Sequence, residues 1–587
     1  MLEPRIYRAA FVPALLAMVL VMFSLESRPR PLAQGLAADV LFDGRQAAAA
    51  ARLIVAGARD RRAGTPGDRA VAATVRQAFK RRGFGVQVDR FGQGGKDLVN
   101  VVGRRAGKSR RQIVVVAARD ASGVPDAGGS AADTAALLEL SRVFEGRPSN
   151  KTLVLASVDG STLGQVGARR LEGSLESPDL VDGVVVVSGL GSRTRAAPAI
   201  VPWSGDVTRA GIGLQRTVAE SLTHELSRPA PEASPGGQLA RLAFPLGIGS
   251  QGVLLDEGYD AVRIAGVGEV DGSSGAAVDQ DRLGGLGRAT LRTLTALDQG
   301  GKPAHGPRTY VTVAGQVMPG WVLSLLGIAL LLPVLVASVD AFARSRRRRH
   351  SVAPWLTWLG AGALAFAIGL GLALALALAG ATPDPPPAPV PPDLYPLDAA
   401  AAAVLGAVVG AVALAWFGLR HLVRRSEPDL ADLSSPAAAV AVALVLSLAT
   451  LATWLVNPYS ALILAPSLHL WILATLTDPP PRRRTRLAMV AGGLVLPALL
   501  VLYHLITLGI DPLGGAWYVL LLVAGGHVSF VSALLGCIMA AALGSIWAIA
   551  RARHPEVEAP AEKPSVRGPG SYAGPGSLGG TPSALRR

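Results

Sequence analysis

At 587 residues the chain is longer than one ordinary domain, so at least two folded units are expected. Half of the residues are hydrophobic and 17% are charged, with the apolar ones gathered after residue 318, the pattern of a soluble part followed by a membrane part. The net charge of +15 sits largely in short arginine runs beside apolar spans, with no nucleic-acid reading motif, and the single cysteine, Cys537, excludes an intrachain disulfide and any thiol chemistry in the soluble part.

The N-terminus, MLEPRIYRAAFVPALLAMVLVMFSL, places two arginines before an apolar run. It reads as a signal anchor over residues 1–30, with cleavage near LAQGLAA as the alternative. Residues 38–306 alternate helix patterns (RQAAAAARLIVAGA, DRAVAATVRQAFKRRG, AADTAALLELSRVF, DRLGGLGRATLRTLTALD) with short β-rich runs (FGVQVDRF, LVNVVGR, QIVVVAA, TLVLASV, GVVVVSG, AVRIAG). This alternation predicts an α/β domain with a mostly parallel sheet flanked by helices. Residues 191–248, richer in Pro, Ser and Gly, read as an insertion near the mouth of that sheet.

Residues 318–550 predict an all-α membrane domain of seven spans, near 320–339, 355–379, 398–418, 437–456, 460–476, 487–508 and 516–549. The last is interrupted by Gly525-Gly526 and is expected to tilt, bend or partly re-enter. Arginine clusters follow every second span (Arg344 and Arg346–Arg349; Arg420, Arg424 and Arg425; Arg482–Arg484 and Arg486; Arg551 and Arg553), and the intervening loops carry no Lys or Arg. Positive charge favours the cytoplasmic side, which puts both termini inside and the α/β domain outside. Pro383–Pro396 reads as a stiff outer connector, and 551–587 as a disordered cytoplasmic tail. The Ala, Arg, Gly and Pro bias points to a GC-rich bacterial genome, hence a bacterial plasma membrane.

Several ordered pieces, RRAGTPGDRAVAATVRQAFKRRGFGVQVDRF, LVNVVGRRAG, QIVVVAARDAS, GGSAADTAALLELSRVF, TLVLASVDGSTLGQVGARRL and SQGVLLDEGYDAVRIAG, together resemble the zinc exopeptidases of metallopeptidase family 28. The resemblance implies a two-zinc site with carboxylate and imidazole ligands and a glutamate base. Carried over by position, the first histidine falls on Arg119, with Asp120 and Ala121 following it. The bridging aspartate falls on Gly129, or Ser130 after a shift, the adjacent glutamates on Ser161 and Thr162, the next acid near Ser188 and the last histidine on Gln251. A one-residue shift would bring Asp120 to the second ligand position and restore one ligand; the other side chains are poor zinc ligands, so the resemblance implies a catalytically degenerate domain with no cofactor.

Other residues of these segments keep some chemistry. Asp120, Asp126, Asp133 and Asp159 can be an oxygen-only cation site or, more simply, loop and helix-cap carboxylates. Arg119 can hold a ligand's carboxylate or phosphate, pair with Asp120 or Asp159, or turn to solvent. His224 and His305, the soluble domain's histidines, lie in no ligand segment. His469, His504 and His527 lie in apolar spans, where they can share an interior cleft or serve structural roles. The overall plan is similar to the attachment-protein subunit of GPI transamidase. These observations lead us to expect a membrane pseudo-peptidase that contacts lipids and binds a peptide, lipid-linked substrate or protein partner. A zinc aminopeptidase with a relocated metal site, and a transporter or lipid-handling protein with an accessory outer domain, are the alternatives.

Overall fold

The computed structural model describes residues 2–33, 41–270, 275–427, 430 and 432–552. The tail 553–587 and most of the stretch 32–38 lie outside the described residues.

Ten strands form two sheets among the described residues. The small sheet joins β1 (Glu26–Ser27), β10 (Gln316–Pro319) and β9 (Tyr310–Val313) in that order, all antiparallel. The large sheet holds β2 (Gly85–Gln93), β3 (Lys96–Arg105), β4 (Ser109–Ala118), β5 (Lys151–Val158), β6 (Val181–Ser188), β7 (Ala199–Val201) and β8 (Ala261–Ala265). Its order is β2-β3-β5-β4-β6-β8-β7.

The central four strands of the large sheet, β5, β4, β6 and β8, pair in parallel, and β2 runs the same way. Five of the seven strands thus share one direction, as expected of a mostly parallel sheet, and three antiparallel pairings lie at its flanks. One cause is local: Gly94 and Gly95 both take positive φ, the geometry of a two-residue hairpin turn, and fold β3 back on β2. The central strands are covered on both faces and read accordingly as unbroken apolar runs, with Val114–Val116 and Val184–Val187 buried.

Helices Gly44–Gly57, Ser130–Val143, Ile212–Leu226 and Gln280–Gln299 pack against one another along the sheet. Helix Pro66–Arg81 begins where the Thr65 hydroxyl accepts the Asp68 N–H at 3.3 Å and Pro66 occupies its first position. It ends at Gly83, whose φ of +77° a side chain would resist. The segment 191–248 is more integrated than an insertion at the mouth. It supplies edge strand β7 and helices Ile212–Leu226 and Pro235–Ala243, because its apolar residues recur at helical spacing between the Pro and Gly breaks.

Among the described residues, eight helices are long and apolar enough to cross a membrane: Pro4–Phe23, Gly320–Arg347, Ala353–Leu378, Ala399–Ser426, Pro436–Val456, Pro458–Leu476, Arg483–Leu508 and Phe530–Arg551. The fifth is central, and its fully buried Ala438 and Ala441 let neighbouring helices approach closely. The Ser338 and Ser447 hydroxyls bond at 2.8 Å between the second and fifth spans. The apolar stretch 516–549 divides into a short helix, Pro512–Ala524, and the eighth span, broken where Gly526 takes φ +73°.

The α/β domain sits on one end of this bundle. Asn457, between the fifth and sixth spans, caps the latter through the Tyr459 N–H at 2.9 Å and donates its amide to the Leu242 carbonyl at 2.8 Å. Leu242 and Ala243 pack there against Leu323 and Tyr459. At the far end of the sixth span the Leu2 N–H bonds the Leu476 carbonyl at 2.8 Å, Arg344 pairs with Glu3 at 3.4 Å, and Arg486 donates to the Ala552 carbonyl at 2.9 Å. The arginine-bearing segments therefore gather away from the α/β domain.

Asn457→Ala removes both the cap and the tether. We expect a loss of about 1 kcal/mol and a severalfold rise in hydrogen exchange over 235–243. Unchanged exchange there would show that docking rests elsewhere.

Candidate functional site

The loops that follow β4, β5 and β6 converge at the carboxyl ends of the parallel strands, the usual crevice of an α/β sheet. They enclose a cavity of about 110 Å³ lined by Asp120, Asp126, Gly129, Ser161, Ser188, Arg263 and their neighbours. Its carboxylates are already committed to these loops. Asp120 accepts the Ser161 and Thr162 N–H groups, each at 2.9 Å, and the Thr162 hydroxyl at 2.8 Å. Asp126 accepts the Ser130 N–H at 2.9 Å and its hydroxyl at 2.7 Å, at the start of helix Ser130–Val143. Asp133 accepts the Gly189 and Leu190 N–H groups at 2.8 and 2.9 Å. Each acid thus braces a loop of the pocket wall. Among the described residues, no group of three or more His, Cys, Asp or Glu is placed to hold a metal ion.

Of the places expected for Arg119, the structure shows the pairing with Asp159, and neither the solvent nor the pocket. Ala118 and Asp120 line the cavity, and strand alternation turns Arg119 the other way, into the protein. It is fully buried and forms a two-pronged pair with Asp68 at 2.9 and 2.7 Å. It also donates to the Val99 carbonyl at 2.7 Å and the Ser157 hydroxyl at 3.2 Å, with Asp159 at 3.5 Å. Arg119 therefore neither meets solvent nor opens onto the pocket, and its main partner is Asp68, a residue the sequence did not single out.

Three carboxylates surround this one guanidinium. Burial, above all, raises the pKa of Asp120, opposed by its N–H partners. Burial and the neighbouring Asp68 and Asp120 carboxylates push Asp159 up to about 8, with a hydrogen bond between its carboxyl and Asp68. Asp159 also accepts the Val99 N–H at 3.1 Å and the Gly160 N–H at 2.7 Å.

The remaining expected positions divide. Gly129, Ser161, Thr162 and Ser188 line the cavity with Asp120, whereas Ala121 and Gln251 do not. Ala121 is buried, its N–H on the Arg61 carbonyl at 2.9 Å. Gln251 is buried behind the wall, donating to the Ile248 carbonyl at 2.9 Å. At Gly129 a Cβ would stand 2.2 Å from the Asp126 carboxylate, so no side chain fits as the loop is built.

Residues outside the family-like positions complete the pocket. Arg263 in β8 reaches the cavity with the Ser188 hydroxyl at 3.5 Å, and Gln165 accepts the Ser250 hydroxyl at 2.7 Å. The signal for Arg263 was a charged residue within an otherwise apolar strand, AVRIA. Pro391 and Leu394, from the proline-rich connector between the third and fourth spans, also line it. That connector is tied down along its length. Its Pro386, Pro387, Val390 and Tyr395 carbonyls accept from His527 at 3.0 Å, Arg169 at 3.1 Å, the Tyr518 hydroxyl at 2.8 Å and the Trp517 indole at 3.1 Å. The mouth of the pocket is thus shared between the α/β domain and the membrane domain.

The three membrane histidines do not share a cleft. His469 meets the Tyr7 hydroxyl at 2.6 Å and the Leu330 carbonyl at 3.0 Å, His504 the Phe244 carbonyl at 3.1 Å, and His527 the connector. Each fastens a different partner (the first span, the α/β domain and the connector), because an imidazole can bond a carbonyl left exposed where segments meet. His224 is exposed and His305 half-buried, and neither lines the cavity.

No family model and no curated protein matches the chain. Among solved structures it is similar to a zinc aminopeptidase from Bacillus subtilis, with 11% identity, TM-score 0.36, 43% of this chain and 94% of that one. It is also similar to a glutaminyl cyclase from an Acidobacteriales bacterium, with 16% identity, TM-score 0.34, 46% of this chain and 99% of that one. A third likeness is to the LapA aminopeptidase of Legionella pneumophila, with 13% identity, TM-score 0.37, 45% of this chain and 73% of that one. None of these carries an activity over to this chain.

Two outcomes are expected. Arg119→Met strands buried carboxylates and should cost about 3–5 kcal/mol, read as loss of folded protein or a large fall in melting temperature. An acid whose pKa is raised on folding contributes stability fully below its unfolded pKa of about 4, and that contribution is lost as pH rises through about 8. Thermal stability should therefore decline from about pH 4 to about 8 and level off above it, and Asp159→Asn should flatten the decline by up to about 1.4 kcal/mol per pH unit. Parallel profiles for the two proteins would show that Asp159 does not hold the proton.

Proposed function

We propose that this chain is a polytopic membrane protein whose peptidase-like outer domain binds and presents a peptide, lipid-linked substrate or protein partner without cleaving it. The observation that carries this reading is the state of Asp120. It is the single carboxylate beside the family's first ligand position, and three of its roughly four lone-pair sites accept from the Ser161 and Thr162 N–H groups and the Thr162 hydroxyl, where the resemblance expects two glutamates. A zinc centre needs at least three protein ligands with free lone pairs, and this donor set does not fit one. The residues left facing the cavity are small hydroxyls, one amide and Arg263, which suit hydrogen-bonded recognition of a polar or anionic group.

In this reading the chain lies in a bacterial plasma membrane, with the α/β domain outside and the arginine-bearing ends in the cytoplasm. The segregation of those arginines to the far end of the bundle supports it. The plan, similar to the attachment-protein subunit of GPI transamidase, favours presentation of a substrate to another subunit; this step is analogy.

The test uses the full chain purified in detergent, equilibrated with excess zinc and desalted. We expect no retained zinc and no hydrolysis of aminoacyl-p-nitroanilides. About one or two zinc ions per chain together with hydrolysis would replace this reading with a membrane exopeptidase.

A further inference from the structure

A second cavity, of about 270 Å³, lies where the α/β domain meets the bundle, apart from the pocket at the strand ends. Arg28, just beyond the first span, and Tyr503, near the outer end of the seventh, both line it, so it stands at the height where spans leave the membrane. One wall is apolar, with Ile200, Val201, Pro202 and Ile212.

Its charges are unbalanced. Arg28 pairs with Glu232 at 2.9 Å, and Glu269, also on the cavity, pairs with Arg241. Arg209 makes no such pair among the described residues. It is only 3% exposed, and its guanidinium is held between the Trp203 and Tyr310 rings at 4.4 and 4.1 Å from their centroids. One nitrogen donates to the Gln238 side chain at 2.9 Å and the Tyr310 carbonyl at 2.6 Å, while Nε has no partner. Burial lowers its pKa, against the opposing pull of Tyr310 and Glu232. Arg216, on the same cavity, donates to the Pro29 carbonyl rather than to a carboxylate.

A buried guanidinium fixed between two rings, unpaired and facing a cavity with an apolar wall, is built to receive an oxyanion attached to an apolar body. We propose that this cavity binds the anionic headgroup of a membrane lipid, with a phosphate oxygen on Arg209 and the lipid's apolar part against the Ile200–Ile212 wall. The aromatic residues around it fit the headgroup level, where such rings concentrate. The site is independent of whatever the strand-end pocket binds.

The test is native mass spectrometry of the full chain released from nanodiscs of phosphatidylcholine mixed with phosphatidylglycerol, alongside thermal unfolding in detergent with and without inorganic phosphate. The wild type should retain phosphatidylglycerol in preference to phosphatidylcholine. Arg209→Met should lower that retention about tenfold, the loss of one charge-assisted contact of about 1.4 kcal/mol. Ala219→Phe, which fills the cavity and leaves the guanidinium in place, should lower it as well. Equal retention of the two lipids by the wild type overturns the proposal, whatever the variants do. Stabilisation by phosphate alone, lost in Arg209→Met and without lipid preference, overturns the lipid assignment and makes the ligand a free oxyanion.

Discussion

A guanidinium without access to water must be neutralised where it stands, and Arg119 is such a group. Its partners come from four parts of the α/β domain: Asp68 from helix Pro66–Arg81, Val99 from β3, Ser157 from β5 and Asp159 from the loop beyond β5. Removing two charges from water costs several kcal/mol for each ion, so such a pair persists only if its remaining donors are also satisfied. Here the arginine fixes the order in which these elements meet beneath the pocket. It also permits two further carboxyls nearby, Asp120 and Asp159, whose pKa values burial raises.

Directly above this cluster the pocket wall is stitched by carboxylates bonded to backbone N–H groups. Asp120 joins the ends of β4 and β5, and Asp133 joins a helix to the end of β6. Bonds of this kind are charge-assisted and short, and they hold loops in fixed positions. The consequence is a polar cavity whose acids have little lone-pair capacity left.

The sequence made the α/β alternation, the eight spans and the glycine break at 525–526 legible, because periodicity and span length are local properties. It also brought Asp120, Gly129, Ser161, Thr162 and Ser188 to one cavity through the ordered segments that contain them. What it could not convey was direction and distance in space. Arg119 and Asp120 are neighbours in the chain, yet strand alternation sends them to opposite sides. Asp68 is separated from Arg119 by 51 residues, and nothing in either local segment announces their pairing. The membrane histidines looked alike as ionisable groups in apolar spans, and only the surrounding carbonyls distinguish what each one fastens. The connector's contact with the pocket joins segments more than two hundred residues apart and left no periodic trace.

The small sheet formed by β1, β10 and β9 gives the molecule a hairpin logic. Chain leaving the first span at Phe23 pairs, through Glu26 and Ser27, with chain about to enter the second at Gly320. Ala14 and Ala17 pack against Ala329 within the same two spans. The whole α/β domain is therefore an excursion between two points already held side by side, and closing so long a loop adds little entropy beyond that of a short one. Domains with adjoining ends are the ones that tolerate transplantation and permutation. The two-span stem can thus carry a different head, and the head can leave its stem, without either having to be rebuilt.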